Sequence, residues 1–294
     1  MIAGDEEVQK VKLVTRFAPT PSGYLHLGNL YNLLLVERLA KQLGADLILR
    51  VDDLDRSRYR RKYAEDIFRV MRWLGVDWTA GPRSVAELES TYSQNLRLDR
   101  YTAALDRLRP HVFACRCSRS DVSEASEDGG YPGTCRDVGI PLDAPDVAWR
   151  FRLDGAPDVR DPVVRKRDGR PAYHIASVVD DVDMGITHVV RGEDLRASTR
   201  IQQALARALE STPSPTSDLG PDYSAFARVV FLHHPLLTAR EDAKISKSAG
   251  RRAQSLLETT GFTPEDVRAG FDAWRISTLT ASGSHFASRS RRPP

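Results

Sequence analysis

An α/β fold built on an open parallel sheet is what this 294-residue sequence predicts, and three observations carry it. A strand, a loop, a helix and a second strand follow one another between residues 11 and 51. Short apolar runs then recur between helical patterns along the chain. A segment rich in Cys, Ser, Asp, Gly and Pro interrupts that order and has the look of an insertion.

The elements follow in order. VKLVTRF (11–17) is a strand, and NLYNLLLVERLAKQLG (29–44) a helix with Leu30, Leu33 and Leu34 on one face and Gly44 as its stop. DLILRV (46–51) is a second strand. Together they form a βαβ unit, which implies parallel pairing. Residues 62–74 and 94–109 are helical by pattern, and apolar order returns in AWRFRL (148–153) and ITHVV (186–190). A helix is expected over 198–210, a turn-rich loop over 211–224 and a strand in RVVFLHHPLL (228–237). Thr263 and Pro264 cap and start a short helix through Trp274. The chain is thus divided into a first half of the sheet domain (11–110), an insertion (111–172), a second half (173–240) and a loop with a short helical tail (241–294).

Composition excludes several classes. With 41% apolar and 28% charged residues the chain is that of a globular protein, not a disordered one. No apolar run approaches the length of a membrane span, and the charged MIAGDEEVQK start is unlike a secretory signal, so a cytoplasmic protein is expected. A net charge of +3 neither requires nor forbids a nucleic-acid partner.

TRFAPTPSGYLHLGN (15–29) is a stiff loop that ends at a helix N-terminus. Helix N-termini beyond the carboxyl ends of parallel strands favour anions, because free N–H groups and the helix dipole point there. Gly28 lets a bulky ligand lie against bare backbone, and His26 can donate to a phosphate oxygen. REDAKISKSAG (240–250) supplies two lysines, Lys244 and Lys247, flanked by serines, a loop able to close over a triphosphate. Cys115, Cys117 and Cys135 fall within 21 residues. An odd number of thiols argues against a disulfide framework, and the clustering points to zinc. Zinc prefers four ligands, and chemistry leaves the fourth open between His111 and Tyr131.

The pair HLGN and KISKS resembles the two signatures of class I aminoacyl-tRNA synthetases. RFAPTPSG, RVDDLD (50–55) and YHIASVVDDVDMGITHVVRGEDL (173–195) resemble the glutamyl branch, over most of residues 12–250. The resemblance implies a Rossmann-like catalytic domain that activates an amino acid with ATP and Mg²⁺. By it, His26 and Lys247 stabilise the transition state, while Gly28, Asn29, Lys244, Ser246 and Ser248 complete the ATP site. It also implies a glutamate pocket of Arg16, Thr20, Asp52, Tyr173 and Arg191. Asp52 departs from the family, which commonly has Glu there, and loses one methylene of reach. Asp53 and Asp55 are expected to be structural. The C-x-C…Y-x-x-x-C pattern resembles the zinc site of glutamyl-queuosine tRNA(Asp) synthetases and of some glutamyl-tRNA synthetases, and implies Cys115, Cys117, Tyr131 and Cys135 as ligands.

Only 46 residues follow KISKS, so no anticodon-binding domain is expected. That again resembles the glutamyl-queuosine branch, in which ATP-activated L-glutamate passes to queuosine of tRNA(Asp). A monomer is expected, with Arg165, Lys166, Arg167 and Arg170 of a hairpin (RKRDGR) as candidate RNA contacts. Two alternatives stand beside this reading. One is a stand-alone amino-acid-activating enzyme with another acceptor; the other is a catalytically inactive, synthetase-like binding protein.

Overall fold

The structure is a computed structural model that describes residues 12–125, 130–154, 160–213, 221–237, 255–258 and 263–281. The expected βαβ unit is present. β1 (Val14–Phe17) pairs in parallel with β2 (Asp46–Leu49), and α1 (Leu27–Leu43) crosses between them. α1 stops at Gly44, whose φ of 62° is the left-handed conformation that turns the chain so that the Ala45 N–H also reaches the carbonyl of Ala40, at 2.9 Å. β6 (His188–Gly192) lies on the other side of β1, and β7 (Val230–His234) follows it, giving a four-stranded parallel sheet of order β2-β1-β6-β7. β7 ends where Pro235 removes a ladder donor.

The insertion forms a second, antiparallel sheet of β3 (Val112–Cys115), β4 (Ala148–Phe151) and β5 (Val163–Arg165). Strand alternation gives it two faces. Val112, Ala114, Trp149, Phe151 and Val164 join one apolar cluster with Val14, Ile175 and Val189, so this sheet packs on the main body. Phe113 and Cys115 point the other way, into a small cluster with Tyr131 and Cys135. RKRDGR turns as a hairpin: Arg165 bridges to Pro171, and Gly169 has φ 83° at the turn.

The helices are α2 (Arg61–Trp73), the single turn α3 (Val85–Glu87), α4 (Leu98–Arg107), α5 (Arg119–Glu124), α6 (Tyr173–Asp183), α7 (Arg196–Ser211), α8 (Ser224–Ala227) and α9 (Pro264–Ala281). α1, α2 and α9 cover the second apolar cluster, with Leu30, Leu33, Leu34, Ile67, Phe68 and Phe271. α9 starts as expected, Thr263 Oγ1 accepting from the Asp266 N–H at 3.2 Å, but it runs past Trp274 to Ala281. α6 was not anticipated. Ile175, Ala176, Ser177, Val178, Val179, Asp180 and Asp181 are consecutive and all buried, so the segment carries no one-sided periodicity.

Candidate active site

A cleft of about 270 Å³ opens at the carboxyl ends of the parallel strands, against the N-terminus of α1. It brings together seven sequence-derived candidates: Arg16, His26, Gly28, Asn29, Asp52, Tyr173 and Arg191. Thr20, expected in the glutamate pocket, is exposed and does not line this cleft. Lys244, Ser246, Lys247 and Ser248 lie outside the described residues. Arg50, Asn32, Asp194, His234 and Trp274 also line it, and their local sequence gave no sign of this.

His26 is the N-cap of α1. Its Nδ1 accepts from the Gly28 N–H at 3.1 Å, and the Asn29 Oδ1 accepts from the His26 N–H at 3.0 Å. This reciprocal box satisfies two orphan donors of the helix mouth. It also fixes the tautomer: with Nδ1 accepting, the neutral imidazole carries its proton on Nε2. A Cβ at position 28 would meet the imidazole at 3.0 Å from Cε1 and 3.1 Å from Nδ1. Any larger residue here would make the imidazole give way by a few tenths of an ångström, so glycine helps to seat the histidine.

Behind the cleft lies a buried charge network. Arg50 holds Asp52 through both carboxylate oxygens, Nε to Oδ1 at 2.7 Å and Nη2 to Oδ2 at 3.3 Å. Asp181 Oδ1 accepts from Arg50 Nη1 at 2.6 Å and from Arg16 Nε at 3.2 Å. Burial alone would raise the Asp181 carboxyl, but the two guanidiniums outweigh it and hold it below its ordinary value. The adjacent Asp180 reaches toward α4, accepting from Tyr101 OH and Gln94 Nε2, each at 2.8 Å, and from Arg97 at 3.1 Å, while its Oδ2 lies 3.8 Å from Arg50 Nε. Asp53 accepts from Ser93 Oγ at 2.6 Å and the Gln94 N–H at 2.8 Å, and Asp55 from Ser57 Oγ at 2.6 Å. Both are loop braces, as their sequence setting suggested.

Arg191 differs from its neighbours. It is 4% exposed, yet its guanidinium donates only to neutral groups, Gln202 Oε1 at 2.9 Å and Thr199 Oγ1 at 2.6 Å. Among the described residues no carboxylate lies within 4.0 Å of it, and its Nε has no partner. Burial and then Arg16 lower its pKa to about 10. It stays charged at neutral pH, and among the described residues no carboxylate pairs with it directly, Asp181 acting on it only from a distance. Burial and Arg191 in turn push His174 down to about 4.

At the insertion, the three cysteine Sγ atoms lie within 4.8 Å of one another. Cys117 and Cys135 are 3.5 Å apart. Tetrahedral zinc with bonds of about 2.3 Å needs sulfurs about 3.8 Å apart, so the cluster fits the ion. The Tyr131 OH lies 3.7 Å from Cys115 Sγ and accepts the Cys135 N–H at 2.7 Å. His111 is engaged elsewhere, Nε2 to Thr212 Oγ1 at 2.9 Å. Of the two candidates for a fourth ligand, Tyr131 is the one beside the sulfurs. Of the hairpin cations, Arg165 lies over Trp149, Arg167 pairs with Asp146 at 3.4 Å, and Arg170 donates to Leu54 O and Asn95 Oδ1.

No helix among the described residues is long and apolar enough to cross a membrane. The family model described as tRNA synthetases class I (E and Q), catalytic domain, matches residues 12–129 and 146–277. The chain is 38% identical over 276 residues to a glutamyl-Q tRNA(Asp) synthetase of Parasynechococcus marenigrum, covering 91% of this chain and 82% of the relative. To that of Rhodobacter capsulatus it is 32% identical over 297 residues, covering 87% and 98%. A glutamate tRNA ligase structure from Elizabethkingia meningosepticum, in complex with its amino acid, shares the fold with a TM-score of 0.64 at 24% identity. That match covers 86% of this chain and 59% of the solved one. A parallel sheet with a helix-capping histidine at its carboxyl edge, a family match over most of the chain, and relatives aligned nearly end to end lead to one conclusion: the chain belongs to the class I tRNA synthetases of the E and Q type and is a ligase of the aminoacyl-tRNA synthetase kind.

Proposed function

We propose that the chain activates L-glutamate with ATP and transfers the glutamyl group to queuosine in tRNA(Asp). The observation that carries the first half is Arg191: a buried guanidinium beside Arg16, with no carboxylate partner among the described residues, suits an acidic side chain. Names of the relatives support the second half.

In the first step an α-carboxylate oxygen of glutamate attacks the α-phosphorus, and the bond to the bridging oxygen breaks. Pyrophosphate leaves with that electron pair. In the second, a hydroxyl of the acceptor attacks the glutamyl carbonyl and AMP leaves. Catalysis is by position and charge. The His26 Nε2–H donates to the phosphate, the α1 N-terminus favours its charge, and Lys247 with Lys244, Ser246 and Ser248 closes over the leaving group. Mg²⁺ accompanies ATP. Tyr173 and Arg191 hold the side-chain carboxylate together with Arg16, and Asp52 receives the α-ammonium. Cys115, Cys117, Cys135 and Tyr131 hold a zinc ion, which when bound cross-links the insertion.

Pyrophosphate exchange with a panel of amino acids, without tRNA, tests activation; glutamate is the expected substrate. Transfer to tRNA(Asp) with and without queuosine then tests the acceptor. Both carboxylate oxygens of Asp52 are already held by Arg50, and this favours a second reading with another amino acid or acceptor. Exchange with a different amino acid establishes that reading, and no exchange at all points to a binding protein.

A further inference from the structure

The metal site proposed above has a charge problem. A divalent cation with three thiolates carries a net negative charge even before the tyrosine contributes any. Such a centre is costly to bury unless a cation stands next to it. Among the described residues, one guanidinium touches the ligand set. Arg150 lies on β4, opposite Phe113 of β3. Strand alternation therefore puts it on the face that carries Phe113 and Cys115, not the face that packs on the main body. Its Nε–H donates to Cys115 Sγ at 3.3 Å, and its guanidinium carbon sits 3.7 Å from the centre of the Tyr131 ring. Nη1 is fixed by the carbonyl of Asp161 at 2.9 Å. One side chain thus bonds a sulfur ligand, stacks on the phenol ligand and is itself held in place.

We propose that Arg150 is the charge-balancing and positioning residue of the cysteine–tyrosine metal site, acting through Cys115 and Tyr131 without touching the ion. It rests on the zinc reading given above. Stacking holds the phenol ring at one angle, so that its oxygen stays beside the sulfurs. The hydrogen bond spreads the excess charge of Cys115 onto the guanidinium. Outer-shell partners of this kind are commonly worth about 10- to 100-fold in metal affinity.

The test uses the full chain loaded with zinc, and Arg150→Met and Arg150→Lys variants. Zinc affinity is read by chelator competition and zinc release by transfer to a chromogenic chelator. Melting is followed with and without the metal. Arg150→Met is expected to bind zinc about 10- to 100-fold more weakly and to release it faster. Arg150→Lys, which keeps the charge but not the planar fork, should fall between. The gain in melting temperature on adding zinc should shrink in Arg150→Met. A variant that melts lower by the same amount in both forms, with wild-type zinc affinity, would show a packing role and overturn the proposal. Should Arg150→Met not fold, Arg150→Lys decides alone: unchanged affinity and release overturn the assignment. A wild-type chain that takes up no zinc would instead defeat the metal reading itself, a distinct result.

Discussion

Replacing Arg191 by methionine separates binding from folding. The protein carries this guanidinium at a cost: lowering its pKa from the ordinary guanidinium range to about 10 corresponds to roughly 3 kcal/mol at about 1.4 kcal/mol per tenfold. Methionine relieves that cost. It also removes the donors to Thr199 and to Gln202, which is 1% exposed. Orphaning a buried acceptor costs about 1–3 kcal/mol. The two effects nearly cancel, so Arg191→Met should melt close to the wild type. Binding should not survive so well. Removing one partner of a buried charge pair costs about 2–5 kcal/mol, which is about 30- to 5,000-fold in affinity. Pyrophosphate exchange at saturating ATP, with glutamate titrated, measures it. A large rise in the KM for glutamate is expected, with the KM for ATP little changed and Arg191→Lys intermediate. A folded Arg191→Met with wild-type KM for glutamate would refute the assignment.

Asp181→Asn strips Arg16 and Arg50 of a shared carboxylate that is 1% exposed; breaking such a pair should cost about 3–5 kcal/mol of stability by denaturant titration, and an unchanged midpoint would contradict the network. Acidification should destabilise the fold. His174 has an ordinary pKa of 6.5 but is held at about 4 in the fold, so between those values the unfolded chain binds more protons and stability falls with falling pH, by up to roughly 3 kcal/mol. A melting temperature flat from neutral pH to 4.5 would count against the His174 shift; Asp181, held below its ordinary value, extends the loss as pH falls further through the ordinary carboxylate range. Lys247→Ala should cut pyrophosphate exchange at least about 100-fold with the fold intact; wild-type exchange removes that loop from the chemistry. Cys117→Ser should lower the zinc content of the purified chain, and full metal occupancy in that variant would rule its thiol out as a ligand.

The βαβ start was legible because each part has a local signal: the leucine face of α1, Gly44 at its end and short apolar strands beside it. His26, Gly28 and Asn29 were legible for the same reason, since a helix mouth is written in adjacent residues. The cysteines gave themselves away by spacing. Arg50 and Asp181 did not, because their meaning lies in a pairing across 131 residues of chain. α6 was hidden by burial on all sides, which erases the helical period. Thr20 shows the reverse limit, where a matching residue in a matching block faces solvent instead of the cleft.

The neighbouring acids Asp180 and Asp181 act as a two-way rivet, one fastened to α4 and its approach, the other to Arg16 and Arg50. A helix turns by about 100° per residue, so inserting or deleting a single amino acid between Tyr173 and Asp180 would swing both fastenings away at once. This stretch should thus tolerate exchanges of apolar side chains in its interior but almost no change of length. Among descendants of such a chain, indels should gather in the cysteine-bearing insertion and spare α6.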